Sequence, residues 1–484
     1  MLTNEVLKNV SLNTVSSELP INVIGIGQSS HDMQPGWLFF AMNGQKSRGA
    51  DFVAEAQKNG AVAVVSEEIL SAELPVIQVP NVRKALAICA SNFYKAPTKR
   101  FYLNAVTGTN GKTSTTYILK KIWSEKRVGM MGTIETSYPG HHFISKLTTP
   151  ASEDLQKCFS EMVSASTTHV TMEASSHAIE QARTFASEFD SAIFTNLTQD
   201  HLDYHLTLES YFSSKKNLFL RDLQNSSKQN KAAIINVDSK FGKDLAQELK
   251  HTNLPVITCS RVDSKANFLC KNFTSTLQGT EFQIEALGES YSGVTNLFGS
   301  YNIENLLGAL AAGYHSGVAL KTAISHVDSV IVPGRMEKIG SKNTFVDYAH
   351  TPDALERALT ALNGLKSKTS KLIVVFGCAG DRDIKKRPIM GAIAESLADI
   401  VIVTSDNPRS ENQNDILKDI ESGMKSKVTN VFFETDRKKA IQMALEMQIG
   451  DDVILIAGKG HETYQIVGEQ VFDFDDRKIV LDLL

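Results

Sequence analysis

At 484 residues the chain is long enough for about three domains of ordinary size, each with its own core, and a small disulfide-stapled fold is excluded. Hydrophobic residues make up 42% and charged residues 21%, close to the globular norm, which excludes general disorder and fibrous repeats. Lys plus Arg number 50 against 54 Asp plus Glu, a formal net charge of -4, so no basic excess exists to hold a polyanion and no nucleic acid partner is expected.

In chain order, short apolar runs alternate with longer amphipathic stretches, the pattern of parallel strands joined by helices and hence of an α/β fold. Strands are expected at 37–42 and 61–65, with a helix at 50–59 between them and another at 81–93. The polar stretch 94–100 (YKAPTKR) reads as a linker and puts a first boundary near 98. A strand at 101–106 then runs into a glycine-rich turn and a helix at 112–126. Further strands are expected at 168–172, 191–194 and 232–236, a helix at 302–316, and a punctuating VPGR at 332–335. The last section repeats the alternation, with strands at 344–348, 372–376, 400–404, 431–434 and 453–457 and four helices between them. Domains of 1–98, 99–332 and 333–484 follow. The first segment, MLTNEVLKNVSLN, lacks the features of a secretory leader, and runs such as 61–65 fall far short of the ~20 residues that cross a bilayer, so no membrane span is expected. Five scattered cysteines without a CxxC pair fit reduced thiols and a cytoplasmic location.

Gly108-Thr109-Asn110-Gly111-Lys112-Thr113 lies between a strand and a helix, so backbone N–H groups and the helix N-terminus converge on an anion. Lys112 can reach terminal phosphates, the Thr113 hydroxyl can sit on Mg2+, and the glycines permit close backbone approach. The broader pattern G-x-x-x-x-G-K-[ST] needs glycine where Val106 stands. The plain alternative is a tight turn with a surface lysine; the flanking strand and helix favour a nucleoside triphosphate site. Glu173, in MEASSH, and His201, in TNLTQDHLDYH, lie beyond predicted strands. Strand C-termini of a doubly wound sheet gather beside the nucleotide, so both can approach a metal held by the triphosphate.

The order GTNGKT, Thr148-Thr149-Pro150, EASSH with Gln181 and Arg183, TNLTQDHLDYH, then YFSSK ending at Lys215, resembles the ATP-dependent Mur ligases. VDYAHTPDAL (346–355), FGCAGDRDIKKR (376–387), DNPR (406–409) and GKGHE (458–462) extend the resemblance over essentially the whole chain. It implies a three-domain Mur ligase: a UDP-substrate-binding domain, a P-loop ATPase central domain, and a Rossmann-like C-terminal amino-acid-binding domain. The implied reaction adds an amino acid to UDP-N-acetylmuramoyl-L-alanyl-D-glutamate in the cytoplasmic stage of peptidoglycan synthesis. A carboxylate is a poor electrophile, so the γ-phosphoryl group of ATP is first transferred to it, and the incoming amine attacks the acyl phosphate. Positioning and charge neutralisation dominate such a transfer.

The resemblance makes Lys112, Lys215 and His201 catalytic, and assigns Mg2+ to Thr113, Glu173, His201 and Lys215. Lys215 matches the family lysine that is carbamylated, which turns a cation into an anion able to help hold a second metal. Lys216 is the adjacent alternative; the YFSSK spacing favours Lys215. ATP falls to Gly108, Thr109, Asn110, Gly111, Lys112 and Thr113, with Asn302, Asn305, Arg335, Asp347 and His350. The UDP-linked substrate falls to Ser30, Gln45, Lys46, Ser47, Thr148, Thr149, Ser175, Gln181 and Arg183. The family's usual Asp-Ser-Arg reads Ser29-Ser30-His31 here, so only Ser30 matches.

Within the family, DNPR marks the branch that adds meso-2,6-diaminopimelate. The implied pocket is Arg382, Asp406, Asn407, Pro408, Arg409, Gly458 and Glu462. Arg409 can grip the distal carboxylate in bidentate fashion and Asn407 can supply amide contacts. Asp-Asn-Pro also forms ordinary turns. Ala379 departs from the family's usual glycine. The alternatives are a lysine-adding ligase, a folylpolyglutamate synthetase-like ligase, and a nucleotide switch that hydrolyses ATP without ligating. The switch leaves Lys215, DNPR and GKGHE unexplained.

Overall fold

The computed structural model describes residues 1–44, 47–425 and 430–484. They form two compact units: 1–271 with 283–291 and 304–326, and 272–282 with 292–303 and 327–484.

The first unit opens with a sheet in the order Thr14–Val15, Val76–Gln78, Ala61–Ser66, Trp37–Phe40, Gly25–Gly27, parallel except at Thr14–Val15. Helix Val82–Phe93 packs Leu86, Cys89 and Ala90 with Leu38, Phe40, Val65 and Ile77, and Asn81 caps it by accepting the Lys84 N–H. The helix expected at 50–59 opens as a 3-10 turn, Gly49–Phe52, before Val53–Lys58. The stretch 94–100 is no open linker. Pro97–Arg100 forms a 3-10 turn with Pro97 and Thr98 buried, and the Thr98 hydroxyl accepts the Glu188 N–H at 3.0 Å.

A second sheet of this unit has Tyr102–Thr107 between Ser191–Phe194 and His169–Glu173, parallel to both. Register pairs Val106 with Glu173 and Thr107 with Phe194, so the three strands end level. Open α/β sheets bind ligands beyond such strand ends. Ala232–Asn236 and Val256–Ser260 extend one side in parallel, and Val128–Met131 the other. Beyond it lies the antiparallel pair Glu135–Tyr138 and His141–Ile144. The helix expected at 112–126 stops at Ile122, where buried Trp123 donates its indole N–H to Ser316 Oγ at 2.7 Å.

The second unit has a six-stranded sheet in the order Glu337–Ile339, Thr344–Asp347, Val453–Ala457, Leu372–Phe376, Ile400–Thr404, Val431–Glu434. Only the first pair is antiparallel. The expected helices fill the four gaps as Pro352–Leu365, Lys386–Leu397, Gln413–Glu421 and Arg437–Met447. Arg437 and Asp476 are fully buried and paired at 2.8 Å, and Arg437 also donates to the Ser405 and Ala457 carbonyls. It thus ties the ends of two central strands to helix Asp476–Leu483. Among the described residues, no helix is long and apolar enough to cross a membrane.

Candidate active site

The loop after Tyr102–Thr107 is shaped by two glycines, Gly108 at φ +155° and Gly111 at φ +87°. A Cβ on Gly111 would stand 2.1 Å from Asn305 Oδ1, and one on Gly108 1.9 Å from Thr195 Oγ1, so both positions demand glycine. Thr195 and Asn196 brace the loop. Thr195 Oγ1 donates to the Asn110 carbonyl at 2.6 Å, and Asn196 accepts the Thr109 N–H at its carbonyl and the Asn110 N–H at its side chain. Lys112 Nζ donates to the Gly108 and Thr109 carbonyls, each at 2.9 Å. Glycine backbone, a helix starting at Lys112 and this lysine form the donor set a polyphosphate requires.

Beside the loop, Glu173 ends its strand buried and held from several sides. Its Oε1 accepts from the Thr113 hydroxyl at 2.9 Å and the Thr133 N–H at 2.8 Å, and its Oε2 from the Thr133 hydroxyl at 3.0 Å. The Thr133 hydroxyl also meets that of Thr148 at 3.0 Å, and Thr149 Oγ1 donates to the Glu173 carbonyl at 2.8 Å. A hydroxyl and a carboxylate are the oxygen donors Mg2+ takes. Among the described residues no three His, Cys, Asp or Glu converge as a ready-made metal site. The donor set fits an ion shared between one protein carboxylate and substrate phosphates.

Lys215 and His201 stand in a second group. Thr207 caps helix Leu208–Asn217 by accepting the Ser210 N–H, and that helix carries Tyr211 and Lys215 one turn apart. Lys215 is 1% exposed, its Nζ donates to the Gly108 carbonyl at 2.8 Å, and it lies 4.4 Å from the Tyr211 ring centre. Burial first, then the charge of Lys112, holds the Lys215 amine well below the ordinary lysine range, with Asp200 opposing. Neighbouring Lys216 pairs outward with Glu248 at 2.8 Å, which separates the two candidates. His201, half exposed at φ +52°, has Nε2 3.5 Å from Asp200 Oδ2, and its ring meets those of His177 and Tyr211.

Of the residues expected for the UDP-linked substrate, Thr149, Ser175, Gln181 and Arg183 come together. Arg183 donates to the Thr149 carbonyl and to Gln181 Oε1, Gln181 to the Tyr204 hydroxyl, and the Ser175 N–H to Thr149 Oγ1. Gln181 and Arg183 line a cavity of about 170 Å3 that Gln28 and Arg83 also face. Ser30 is buried and donates to Glu55 Oε2 at 2.5 Å, and the Ser47 carbonyl accepts the Gly44 N–H. Gln45 and Lys46 lie outside the described residues.

In the second unit the strand ends carry the DNPR and GKGHE residues. Asn407 donates to Glu462 Oε2 at 2.9 Å, and buried Lys459 bridges Asn407 Oδ1 at 3.2 Å and Glu462 Oε2 at 3.1 Å. Gly458 sits at φ +115°, and a Cβ there would come within 2.7 Å of Asp406 Oδ2. Pro408 abuts Gly380, Arg409 Nη1 donates to the Gly380 carbonyl at 2.7 Å, and Arg382 is exposed. Asn302 donates to the Phe298 carbonyl at 2.8 Å. Arg335 lies over the Tyr348 ring at 4.5 Å. Burial pushes Asp347 up to about 6 against the pull of Arg335, and burial also lowers His350. Sequence reasoning missed Thr133 and Lys459. Lys459 lies inside a quoted motif, whereas nothing local marks Thr133.

Three family models match the chain: "Mur ligase family, catalytic domain" over 21–94, "Mur ligase middle domain" over 106–313, and "Mur ligase, glutamate ligase domain" over 334–460. A protein of Geobacillus thermodenitrificans named UDP-N-acetylmuramoyl-L-alanyl-D-glutamate--2,6-diaminopimelate ligase is 41% identical, covering 97% of this chain and 98% of its own. One of the same name from Aquifex aeolicus is 39% identical, covering 96% and 94%. A solved structure of a ligase so named superposes with a TM-score of 0.74 at 31% identity over 100% of this chain and 98% of its own. A folylpolyglutamate synthase of Mycobacterium tuberculosis, 19% identical over 78% of this chain and 92% of its own, has a TM-score of 0.64 and shares the fold.

Proposed function

This chain belongs to the Mur ligase family, and from that premise we propose that it adds meso-2,6-diaminopimelate to UDP-N-acetylmuramoyl-L-alanyl-D-glutamate at the expense of ATP. The observation that carries the reading is Lys215, an amine buried on the same loop carbonyl as the phosphate-site lysine. A depressed amine reacts with carbon dioxide to form a carbamate, which supplies the missing anion beside the reacting carboxylate. Thr113, Glu173, His201 and carbamylated Lys215 would hold Mg2+, which neutralises phosphate charge. Lys112 and the loop N–H groups orient the γ-phosphoryl group of ATP toward the D-glutamyl carboxylate. The amine of diaminopimelate then attacks the acyl phosphate, and phosphate leaves.

In the same reading Ser30, Ser47, Thr148, Thr149, Ser175, Gln181 and Arg183 hold the UDP-linked peptide. Asn302, Arg335, Asp347 and His350 contribute to nucleotide binding. Arg382, Arg409, Asn407, Asp406, Gly458 and Glu462 receive the amino acid. Functional domains of 1–98, 99–332 and 333–484 go with it, supported by the segments the family models match. The nucleotide-linked substrate and the names of the relatives support a cytoplasmic enzyme of peptidoglycan precursor synthesis. Phosphate release from purified protein tests the ligase against the nucleotide switch. A ligase requires both the UDP-dipeptide and the amino acid; release from ATP alone at the full rate overturns the reading.

A further inference from the structure

The loops bearing Arg382 and Arg409 are zipped together by contacts that run on beyond the assigned pocket residues. The Gly380 N–H donates to the Asn407 carbonyl at 2.9 Å, and Arg409 Nη1 returns to the Gly380 carbonyl. One residue on, the Asp381 carboxylate accepts the Ser410 hydroxyl at 2.6 Å and the Ser410 N–H at 3.2 Å. The Asp381 N–H in turn donates to Glu411 Oε1 at 2.5 Å. Glu411 is itself held by the guanidinium of Arg387, 1% exposed, through bonds of 2.8 and 2.9 Å. The loops approach so closely that a Cβ on Gly380 would lie 1.9 Å from the Pro408 carbonyl oxygen.

Asp381 and Arg409 sit at φ +54° and +51°, a region that residues with side chains hold only when their surroundings over-determine it. With strain in both facing turns, cross-links rather than local preference set the loop geometry. Glu411 is the link that joins Asp381 to the buried Arg387. Asp419 pairs with Arg387 at the same 2.8 Å, but from helix Gln413–Glu421, and the bond to the Asp381 backbone comes from Glu411.

We infer that Glu411, held by Arg387, is a positioning residue for amino-acid specificity, fixing the Asp381 turn against the Arg409 turn and so setting where the guanidinium groups of Arg382 and Arg409 stand. This rests on the diaminopimelate-adding reading above. Bidentate recognition of a carboxylate depends on the placement of the planar fork. Lysine lacks the distal carboxylate, so its use is insensitive to that placement.

The test compares Glu411→Ala, Glu411→Gln and Asp419→Ala in the full-length enzyme. Glu411→Ala should raise KM for meso-diaminopimelate about tenfold or more and shrink the preference over L-lysine by a similar factor, since misplacement of about 1 Å costs up to ~100-fold. KM for ATP should stay within about twofold. Glu411→Gln keeps one acceptor oxygen and should fall between. Asp419→Ala removes an equally close partner of Arg387 and should leave the preference intact. Amide hydrogen exchange over 377–385 and 406–412 should quicken in Glu411→Ala and not in Asp419→Ala. Equal loss of preference in both alanine variants, or faster exchange with unchanged preference, overturns the inference alone. A wild-type enzyme with no preference for meso-diaminopimelate overturns the proposed function, and this inference with it.

Discussion

Lys112 and Lys215 place their Nζ atoms on a single acceptor, the carbonyl oxygen of Gly108, at 2.9 and 2.8 Å. Burial above all, and then the nearby charge of Lys112, hold the Lys215 amine well below the usual lysine range. In the proposed reading, conversion of that amine to a carbamate would replace repulsion with attraction toward Lys112.

Lys215→Ala should therefore lose activity in a way that small anions repair. Formate or acetate should restore part of the ligation rate to Lys215→Ala and none to Lys112→Ala, whose phosphate-orienting donor an anion cannot replace. Carbon-13 NMR on protein equilibrated with labelled bicarbonate should show a carbamate signal in wild type that Lys215→Ala lacks. If neither rescue nor signal appears in folded protein, the carbamate is wrong.

Asp347 gives a pH dependence of defined sign. Its folded-state value is raised from 3.8 to about 6, chiefly by burial. Between those values the folded chain holds more protons than the unfolded chain, so the contribution of Asp347 to stability falls as pH rises through that window. Asp347→Asn cannot ionise. Its melting temperature relative to wild type should climb steadily from pH 3.8 to about 6, whereas parallel curves would contradict the assignment.

Arg409→Ala should leave the distal carboxylate of diaminopimelate without its charged partner, at a cost of about 2–5 kcal/mol if the pair is desolvated. That is roughly 30-fold to several thousand-fold in kcat/KM. ATP affinity should be spared, and the smaller loss with L-lysine should compress the preference ratio. Equal slowing with both amino acids would remove Arg409 from its role as selector.

The buried pair of Arg437 and Asp476 braces the strand ends next to Asp406 and Gly458, through the Ser405 and Ala457 carbonyls. Asp476→Ala leaves an uncompensated cation and should destabilise the protein by about 3–5 kcal/mol. Adding Arg437→Met should recover much of that loss, because the double variant buries no charge. Urea-unfolding midpoints of the two variants check this, and a double variant less stable than Asp476→Ala would refute it.

Much of the fold was legible because parallel strands covered on both faces read as continuous apolar runs. Ser191–Phe194, Leu372–Phe376, Ile400–Thr404 and Val453–Ala457 lie where those runs place them. His141–Ile144 was not legible, being exposed along its length at a sheet edge. The glycine-rich turn between strand and helix could be read because its residues are contiguous. The grip of Thr133 on Glu173, of Lys459 on Asn407 and of Glu411 on Asp381 spans 40, 52 and 30 residues and is created by strand order, which no local pattern carries.

The most direct measurement gives purified enzyme ATP, Mg2+ and UDP-N-acetylmuramoyl-L-alanyl-D-glutamate with meso-diaminopimelate and L-lysine in equal amounts, and weighs the product by mass spectrometry. The account predicts the diaminopimelate tripeptide almost alone, with one phosphate released per product. A lysine tripeptide as the main product, or phosphate release without any tripeptide, would contradict it.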